Sequence, residues 1–184
     1  MQRVVTFIER FEATLPAPVE PIDWSGTFAA RWTVDGQQGY LRPLKVSLTL
    51  RLDDLVGVER QKALLGSNTG QFVRGLPANN ALLWGSRGTG KSSLVRALLS
   101  EYAEQGMRLI EVDKADLVHL SALLPQLAGQ PWRYVLFCDD LAFEADDSGY
   151  KALKTVLDGT VEAAPENLLL YATSNRRHLL PEHN

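Results

Sequence analysis

Apolar and polar positions alternate with two different periods along most of this 184-residue chain. From residue 80 onward, short apolar runs predict buried strands, and apolar residues recurring every three or four positions predict helices between them. The predicted strands are Asn80–Trp84, Arg108–Val112, Tyr134–Cys138 and Leu168–Ala172, and the predicted helices are Lys91–Gln105, Ala115–Leu127 and Tyr150–Leu157. We expect Pro125 to interrupt the second of these helices. Strands that alternate with helices predict a parallel sheet covered on both faces.

The first fifty residues follow a different pattern. Residues 2–14 have the apolar spacing of a short amphipathic helix, and the prolines that follow predict a linker or extended strap. Ala29–Val34 and Tyr40–Leu44 flank a glycine-containing turn, which predicts a β-hairpin. We therefore expect an N-terminal helix and hairpin extension over residues 1–50 and an α/β core over residues 51–184.

The segment Gly85–Ser92 matches the phosphate-loop pattern G-x-x-x-x-G-K-[ST] at every fixed position. A predicted strand precedes it and a predicted helix follows it, which is the context that this motif requires. Backbone N–H groups and the positive end of the helix would face phosphate oxygens, Lys91 would reach the β- and γ-phosphates, and Ser92 would hold Mg²⁺. The alternative is a glycine-rich turn with a chance lysine. The predicted nucleotide-binding residues here are Gly85, Ser86, Arg87, Gly88, Thr89, Gly90, Lys91, Ser92 and Ser93.

Two carboxylates, Asp139 and Asp140, end the apolar strand that begins near Arg133, and Asp139 follows Lys91 by 48 positions. In a doubly wound sheet the carboxyl ends of the strands line the ligand crevice, where a phosphate loop also lies. Asp139 is then placed to hold Mg²⁺ beside Ser92, and Asp140 to act as the general base or to position the attacking water. The alternative is a solvated acidic turn.

Polar residues also end the last predicted strand, where Thr173, Ser174 and Asn175 follow Ala172. An amide at the tip of a neighbouring strand could orient the attacking water between the γ-phosphate and Asp140. The alternative is an asparagine that caps the following turn. For the lone Cys138 we expect a buried strand residue and not a nucleophile.

Together these segments resemble the AAA+ ATPases. Gly85–Ser92 resembles Walker A, Leu136–Asp140 resembles Walker B, and Thr173–Asn175 resembles sensor 1. Leu55–Glu59 is similar to the entry segment of that superfamily, which implies adenine contacts from Val56 and Gly57. The implied fold is the P-loop NTPase three-layer α/β/α arrangement with a mostly parallel sheet.

Within the superfamily, the paired aspartates and the Thr-Ser-Asn tip are similar to the helicase-loader and transposition-helper branch. Gly75–Gly85 and Tyr171–Leu179 more closely resemble a bacterial family of stand-alone AAA+ ATPases of unknown function, over about residues 24 to 184. The resemblance implies ATP and Mg²⁺ as cofactors and a homo-oligomer as the assembled state. It leaves open whether a protein or a nucleic acid is the client.

Two departures from the superfamily pattern change the expectation. Asp140 stands where the superfamily usually has Glu, and its shorter side chain could slow hydrolysis while leaving binding intact. The superfamily's arginine finger, fifth core strand, sensor 2 and helical lid would lie beyond Asn184. We therefore expect a C-terminally truncated core with Asn80–Trp84 at a sheet edge, unless the N-terminal segment covers that edge. Arg176, Arg177 and His178 would contact a neighbouring subunit or a nucleic-acid phosphate, or form a solvated turn.

Composition narrows the class further. With 45% hydrophobic and 22% charged residues, the chain fits neither a disordered nor a membrane class, and no apolar run reaches the roughly 20 residues that span a bilayer. Its first residues lack the features of a signal peptide, so we expect a cytoplasmic location. A single cysteine excludes an intrachain disulfide, and a net charge of -3 gives no overall attraction to nucleic acid.

Two functions remain open from the sequence. The first is Mg²⁺-dependent ATP hydrolysis coupled to remodelling or loading of a macromolecular partner. The second is an ATP-dependent binding switch or loader with little intrinsic turnover, which the short Asp140 side chain favours. A small-molecule kinase or a GTPase is a weaker interpretation, because the sequence has no N-K-x-D guanine signature and no arginine-rich lid can be recognised.

Overall fold

The computed structural model describes residues 21–36, 38–143, 147–158 and 165–175. The strands in these ranges are β1 (Ala29–Asp35), β2 (Gln38–Leu44), β3 (Ala81–Trp84), β4 (Met107–Val112), β5 (Arg133–Cys138) and β6 (Leu168–Ser174). The helices are α1 (Glu59–Val73), α2 (Lys91–Tyr102), α3 (Leu120–Leu127) and α4 (Ser148–Asp158). The helix predicted at residues 2–14 and the basic cluster at 176–178 lie outside the described residues.

The six strands form one sheet in the order β2-β1-β4-β5-β6-β3. Every neighbouring pair is parallel except the hairpin pair β1 and β2, which is antiparallel. The carboxyl ends of β3, β5 and β6 therefore meet at one edge of the sheet, beside the phosphate loop. The predicted mostly parallel α/β sheet is confirmed.

Helices cover both faces of this sheet, because both faces of the central strands are apolar. In β5, Tyr134, Leu136 and Cys138 pack on the side of α3 and α4, whereas Val135 and Phe137 pack on the side of α1 and α2. A strand that is buried on both faces reads as a continuous apolar run. This is the physical reason that the central strands could be recognised in the sequence.

The hairpin of β1 and β2 continues the sheet at the edge opposite β3. Its strand β1 pairs with β4, with Ala30 opposite Ile110, and its Trp32 is fully buried. Trp24, just before the hairpin, packs edge-on against Tyr134 with ring centroids 5.2 Å apart. Both tryptophans are therefore core residues.

Gly39 in β2 is required by the Trp32 ring, and we predict that Gly39→Ala destabilises the protein. A β-carbon at Gly39 would lie 2.1 Å from a ring carbon of the fully buried Trp32, so the ring or the strand would have to move. Overpacking of this kind costs roughly 1–3 kcal/mol in the free energy of unfolding, measurable by urea denaturation. Gly26→Ala is the matched control, since its β-carbon would meet nothing closer than 4.0 Å. Equal stabilities of the two variants would contradict this packing.

The helix predicted over Ala115–Leu127 differs from the structure in its start and at Pro125. Residues Lys114–His119 form a 3-10 helix, and the α-helical turns begin only at Leu120. Pro125 does not interrupt α3 but lies inside it, near its end, where its missing N–H removes only one hydrogen bond of a short helix.

Helix α1 continues unbroken through Gly70. The lack of a side chain at Gly70 leaves room for the Tyr102 hydroxyl.

Strand β3 forms one edge of the sheet. Among the described residues it pairs only with β6, with Leu82 opposite Ala172, and this confirms the edge position expected from the sequence. Leu82 and Trp84 lie on the face that α3 and α4 cover further along the sheet, and Trp84 is 57% exposed.

In the part of the chain that is described, no helix has the length and apolarity needed to cross a bilayer.

Candidate functional site

The phosphate loop joins the end of β3 to the start of α2. Gly88 and Gly90 have φ values of 76° and 83°, a left-handed conformation that residues with a β-carbon rarely adopt. The Thr89 hydroxyl donates to the Ser86 carbonyl at 2.9 Å, and the Gly85 N–H donates to the Ser174 carbonyl at 3.2 Å. The loop is thus braced internally and tied to the end of β6.

The Lys91 ammonium lies inside this loop. It donates to the carbonyl oxygens of Gly85 at 2.7 Å and Ser86 at 2.8 Å, and to the Asn175 side-chain oxygen at 3.3 Å. Carbonyl oxygens are neutral partners for an ammonium group, and a phosphate oxygen is a stronger, charge-assisted one. The loop therefore holds the Lys91 ammonium where it can exchange its carbonyl partners for the oxygens of an anion such as phosphate.

Ser92, in the first turn of α2, meets Asp139, directly after β5. The Ser92 hydroxyl donates to an Asp139 carboxylate oxygen at 2.7 Å, and the Thr173 hydroxyl donates to the same oxygen. A hydroxyl and a carboxylate are the protein oxygens that hold Mg²⁺ beside a bound nucleotide, where phosphates and waters supply the other ligands. The described residues hold no cluster of three or more acidic, histidine or cysteine side chains that could bind a metal without such help.

Asp140 has an unusual backbone. Its φ is 54°, and it is the only described residue other than glycine with a positive φ. Two hydrogen bonds to Thr173 hold this conformation: the Asp140 N–H donates to the Thr173 hydroxyl at 2.8 Å, and the Leu141 N–H donates to the Thr173 carbonyl at 2.7 Å. Because two hydrogen bonds hold the Asp140 backbone in this rare conformation, we infer that the position of the Asp140 side chain is required.

The Asp140 carboxylate closes a chain of polar contacts across the loop. One oxygen accepts from the Asn175 amide, and the other accepts from Arg87 at 3.0 Å. Asn175 in turn contacts Lys91, so four side chains from three segments form one network. Arg87 is 83% exposed, as expected for a residue that faces solvent, but its contact with Asp140 was not expected from the sequence.

The segment after Asp140 is anchored as well. Leu141 and Phe143 are fully buried, and Lys114 donates to the Ala142 carbonyl at 2.6 Å. Lys114 also pairs with Asp147 at 2.7 Å, and this hydrogen bond lowers the pKa of the Asp147 carboxyl. Asp140 therefore lies between two fixed segments, β5 and the buried residues that follow.

These side chains border a cavity of about 340 Å³ at the carboxyl edge of the sheet. Its lining consists of Arg87, Gly88, Thr89, Gly90, Lys91, Ser92, Ser93, Asp139, Asp140, Thr173 and Asn175. All but Thr173 are residues that the sequence singled out for nucleotide, metal or catalytic roles. The hydroxyl of Thr173 forms hydrogen bonds with both Asp139 and Asp140. The Thr-Ser-Asn sequence alone does not indicate that its threonine holds these two aspartates in place.

A larger groove of about 780 Å³ lies on the other side of the loop, between α1 and β3. Gly57 and Val58 border it at one end, and Gly85 and Lys91 border it at the other. Of the two residues for which the resemblance implies adenine contacts, Gly57 borders this groove. The Val56 side chain is 88% exposed and is not part of the groove lining.

Cys138 precedes the two aspartates but takes no part in the cavity. It is fully buried in β5, and burial raises the pKa of its thiol to about 12. The reactive thiolate is therefore not formed near neutral pH. Nucleophilic chemistry by this cysteine is excluded.

One protein family and several solved structures are similar to this chain. A family profile described as "Protein of unknown function (DUF815)" matches residues 25–184. Among solved structures, one point mutant of RuvB from Thermotoga maritima matches with a TM-score of 0.50 and 22% identity, over 72% of this chain and 43% of its own. A second RuvB mutant from that organism matches with a TM-score of 0.50 and 24% identity, over 71% and 43%.

At these identities the likeness shows a shared α/β fold with a mostly parallel sheet and nothing finer. The chain spans less than half the length of the RuvB chains that it matches. No curated protein matches the sequence.

Proposed function

Since the chain belongs to the DUF815 family, whose description assigns no activity, we propose a function from the site itself: the protein binds ATP with Mg²⁺ and hydrolyses it to ADP and phosphate. One observation carries the proposal. Three segments that are far apart in the sequence line one cavity at the phosphate loop: they contribute Lys91, the adjacent pair Asp139 and Asp140, and Asn175. Residues gathered from separate strand ends around a braced loop are what phosphoryl transfer needs, because its catalysis is mostly positioning and electrostatic stabilisation.

Phosphate binding follows from the loop. The N–H groups at the start of α2 and the positive end of its dipole favour an anion, and Lys91 adds a full charge. When phosphate oxygens enter the loop, they replace the two carbonyl oxygens that Lys91 contacts. The ammonium group then exchanges neutral partners for the charged oxygens of the β- and γ-phosphates.

Ser92 and Asp139 are the residues that would hold Mg²⁺. Their direct hydrogen bond brings a hydroxyl and a carboxylate together, and hard oxygen ligands of this kind suit Mg²⁺. When bound, the ion supplies positive charge to the phosphate oxygens. Thr173 fixes the Asp139 carboxylate through a second hydrogen bond, so the ligand is positioned before the ion arrives.

Asp140 and Asn175 act on the attacking water. Asn175 orients the water, and the Asp140 carboxylate takes its proton as the water oxygen forms a bond to the γ-phosphorus. The bond between the γ-phosphorus and the bridging oxygen breaks, and its electron pair leaves with ADP. The short hydrogen-bonded link between the two side chains supports this pairing of roles.

A second candidate function is an ATP-dependent binding switch with little turnover. It is favoured by the engagement of Asp140, whose two carboxylate oxygens both have partners within the chain. In either case we propose, from the AAA+ resemblance, that the chain assembles with copies of itself and acts on a protein or nucleic-acid client. Steady-state hydrolysis measured with and without DNA, beside ATP affinity from calorimetry, separates the two. Turnover supports the ATPase, tight binding without turnover supports the switch, and absence of ATP binding contradicts both.

We predict that Asp139→Asn raises the Mg²⁺ concentration needed for half-maximal hydrolysis by about tenfold. The neutral amide keeps the shape of the side chain but removes the charge that attracts the ion, and a tenfold change corresponds to about 1.4 kcal/mol. The measurement is a Mg²⁺ titration at fixed ATP. Asp113→Asn is the matched control, since Asp113 is an exposed carboxylate after the neighbouring strand β4 and lies outside the cavity lining. An unchanged Mg²⁺ requirement for Asp139→Asn would remove Asp139 from the metal site.

A further inference from the structure

Arg87 occupies a position of the phosphate-loop pattern that any residue can fill, yet its guanidinium is directed across the cavity. It contacts Asp140, the proposed base, at 3.0 Å. Arg87 and Lys91 lie at opposite ends of the polar network that joins the loop to the strand ends, with Asp140 and Asn175 between them. Arg87 and Lys91 therefore bring two positive charges from one loop to the same cavity.

Stability does not explain this contact. The side chains of Arg87 and Asp140 are 83% and 52% exposed, and an exposed ion pair contributes little to folding. The backbone conformation of Asp140 is moreover set by Thr173 and not by the arginine. The contact does show that the Arg87 guanidinium extends from the loop as far as Asp140, the proposed base.

The charges of the phosphoryl group and of Asp140 determine which oxygens Arg87 binds when a nucleotide enters. The terminal phosphoryl group carries more negative charge than the Asp140 carboxylate, and it enters between the loop and the strand ends. A guanidinium has five N–H donors in a fork that matches phosphate oxygens, and it can serve two acceptors together. The arginine can thus bind phosphate oxygens while remaining beside Asp140.

We propose that Arg87 is a catalytic arginine supplied within the chain, which binds the γ-phosphoryl oxygens and stabilises the charge that develops on them during hydrolysis. This inference rests on the proposed ATPase function and deepens it. Its consequence is that the chain carries its own arginine for the transition state. A neighbouring copy is not needed for that charge.

The test compares Arg87→Ala with wild type by turnover and by affinity. We expect turnover to fall by about a hundredfold, since arginines in this role contribute on the order of a thousandfold or more and Lys91 remains. Calorimetry gives a readout that does not depend on turnover. The affinity for ADP with Mg²⁺ should change less than about twofold, whereas the affinity for ADP with aluminium fluoride, which mimics the transition state, should fall at least about tenfold.

Arg96→Ala is the matched control. Arg96 is another exposed arginine, 64% accessible, on the helix that the loop opens, and it pairs with Glu111 at 3.8 Å outside the cavity. This variant should keep both affinities and the turnover. An Arg87→Ala protein that behaves like Arg96→Ala in all three measurements would overturn the inference.

Mixing variants decides whether the arginine acts within its own chain. A Lys91→Ala chain keeps Arg87 but should bind no ATP, and it is mixed in equal amounts with Arg87→Ala. We expect the mixture to hydrolyse no faster than Arg87→Ala alone. Restored turnover would show that Arg87 acts on a neighbouring chain and would overturn the inference. A wild-type chain that binds no ATP would instead contradict the proposed function, so the two failures are distinguishable.

Discussion

Replacing Lys91 by alanine is expected to lower the affinity for ATP by at least about a hundredfold and to bring hydrolysis below detection. Hydrogen bonds to charged groups contribute about 1.5–3 kcal/mol each, and about 2.7 kcal/mol corresponds to a hundredfold change in affinity. Lys91 is the loop's only lysine, and its ammonium already lies among the carbonyl oxygens that a phosphate would replace. The measurement is isothermal calorimetry with ATP and Mg²⁺.

The fold should survive this substitution. Within the described part of the chain, the Lys91 ammonium donates hydrogen bonds to two loop carbonyls and to Asn175, and none of these contacts joins the layers of the core. Thermal unfolding followed by circular dichroism should therefore change little. Lys151→Ala, which removes an exposed lysine from α4, is the control and should bind ATP as wild type does. A Lys91→Ala protein that is folded and keeps its ATP affinity would show that the loop does not bind phosphate.

The central sheet could be predicted from the sequence because its strands are buried on both faces. Leu136 and Phe137 face opposite helical layers and are both apolar, which gives β5 an unbroken apolar run. The phosphate loop was equally predictable, since its glycines and Lys91 are required by backbone geometry and charge. Both signals are local in the sequence.

The rest depends on how distant segments pair, and no local pattern records that. The hairpin could be predicted from the sequence. Its place beside β4 could not, because the pairing of Ala30 with Ile110 is not indicated by the sequence of the hairpin itself. The hydroxyl of Thr173 reaches Asp139 and Asp140 only because β5 and β6 pair with Cys138 opposite Ala172. A shift of one residue would turn Thr173 to the other face of the sheet.

The contact between Arg87 and Asp140 has the same origin. It arises because β6 lies between β3 and β5, so the loop after β3 faces the end of β5 across one intervening strand. The sequence places both residues at loop positions but does not fix which side chains meet. This is why the contact between Arg87 and Asp140 could not be predicted from the sequence.

Asp140→Asn should separate binding from chemistry. Asparagine has the same shape as aspartate and tolerates a positive φ equally well, so the backbone at this position should be preserved. It cannot accept the proton of the attacking water, and loss of a general base costs roughly 10²–10⁴ in rate. We therefore expect hydrolysis to fall about a thousandfold, with the affinity for ATP unchanged within a few fold, because removing a negative charge beside the phosphates does not weaken their binding.

Single-turnover kinetics are the measurement that decides this prediction, since steady-state rates also report product release. Asp113→Asn again serves as the control for loss of one carboxylate at this edge of the sheet, and it should hydrolyse ATP as wild type does. If Asp140→Asn hydrolyses bound ATP at the wild-type single-turnover rate, Asp140 is not the base. Its contacts with Arg87 and Asn175 would then hold the two segments together without a role in proton transfer.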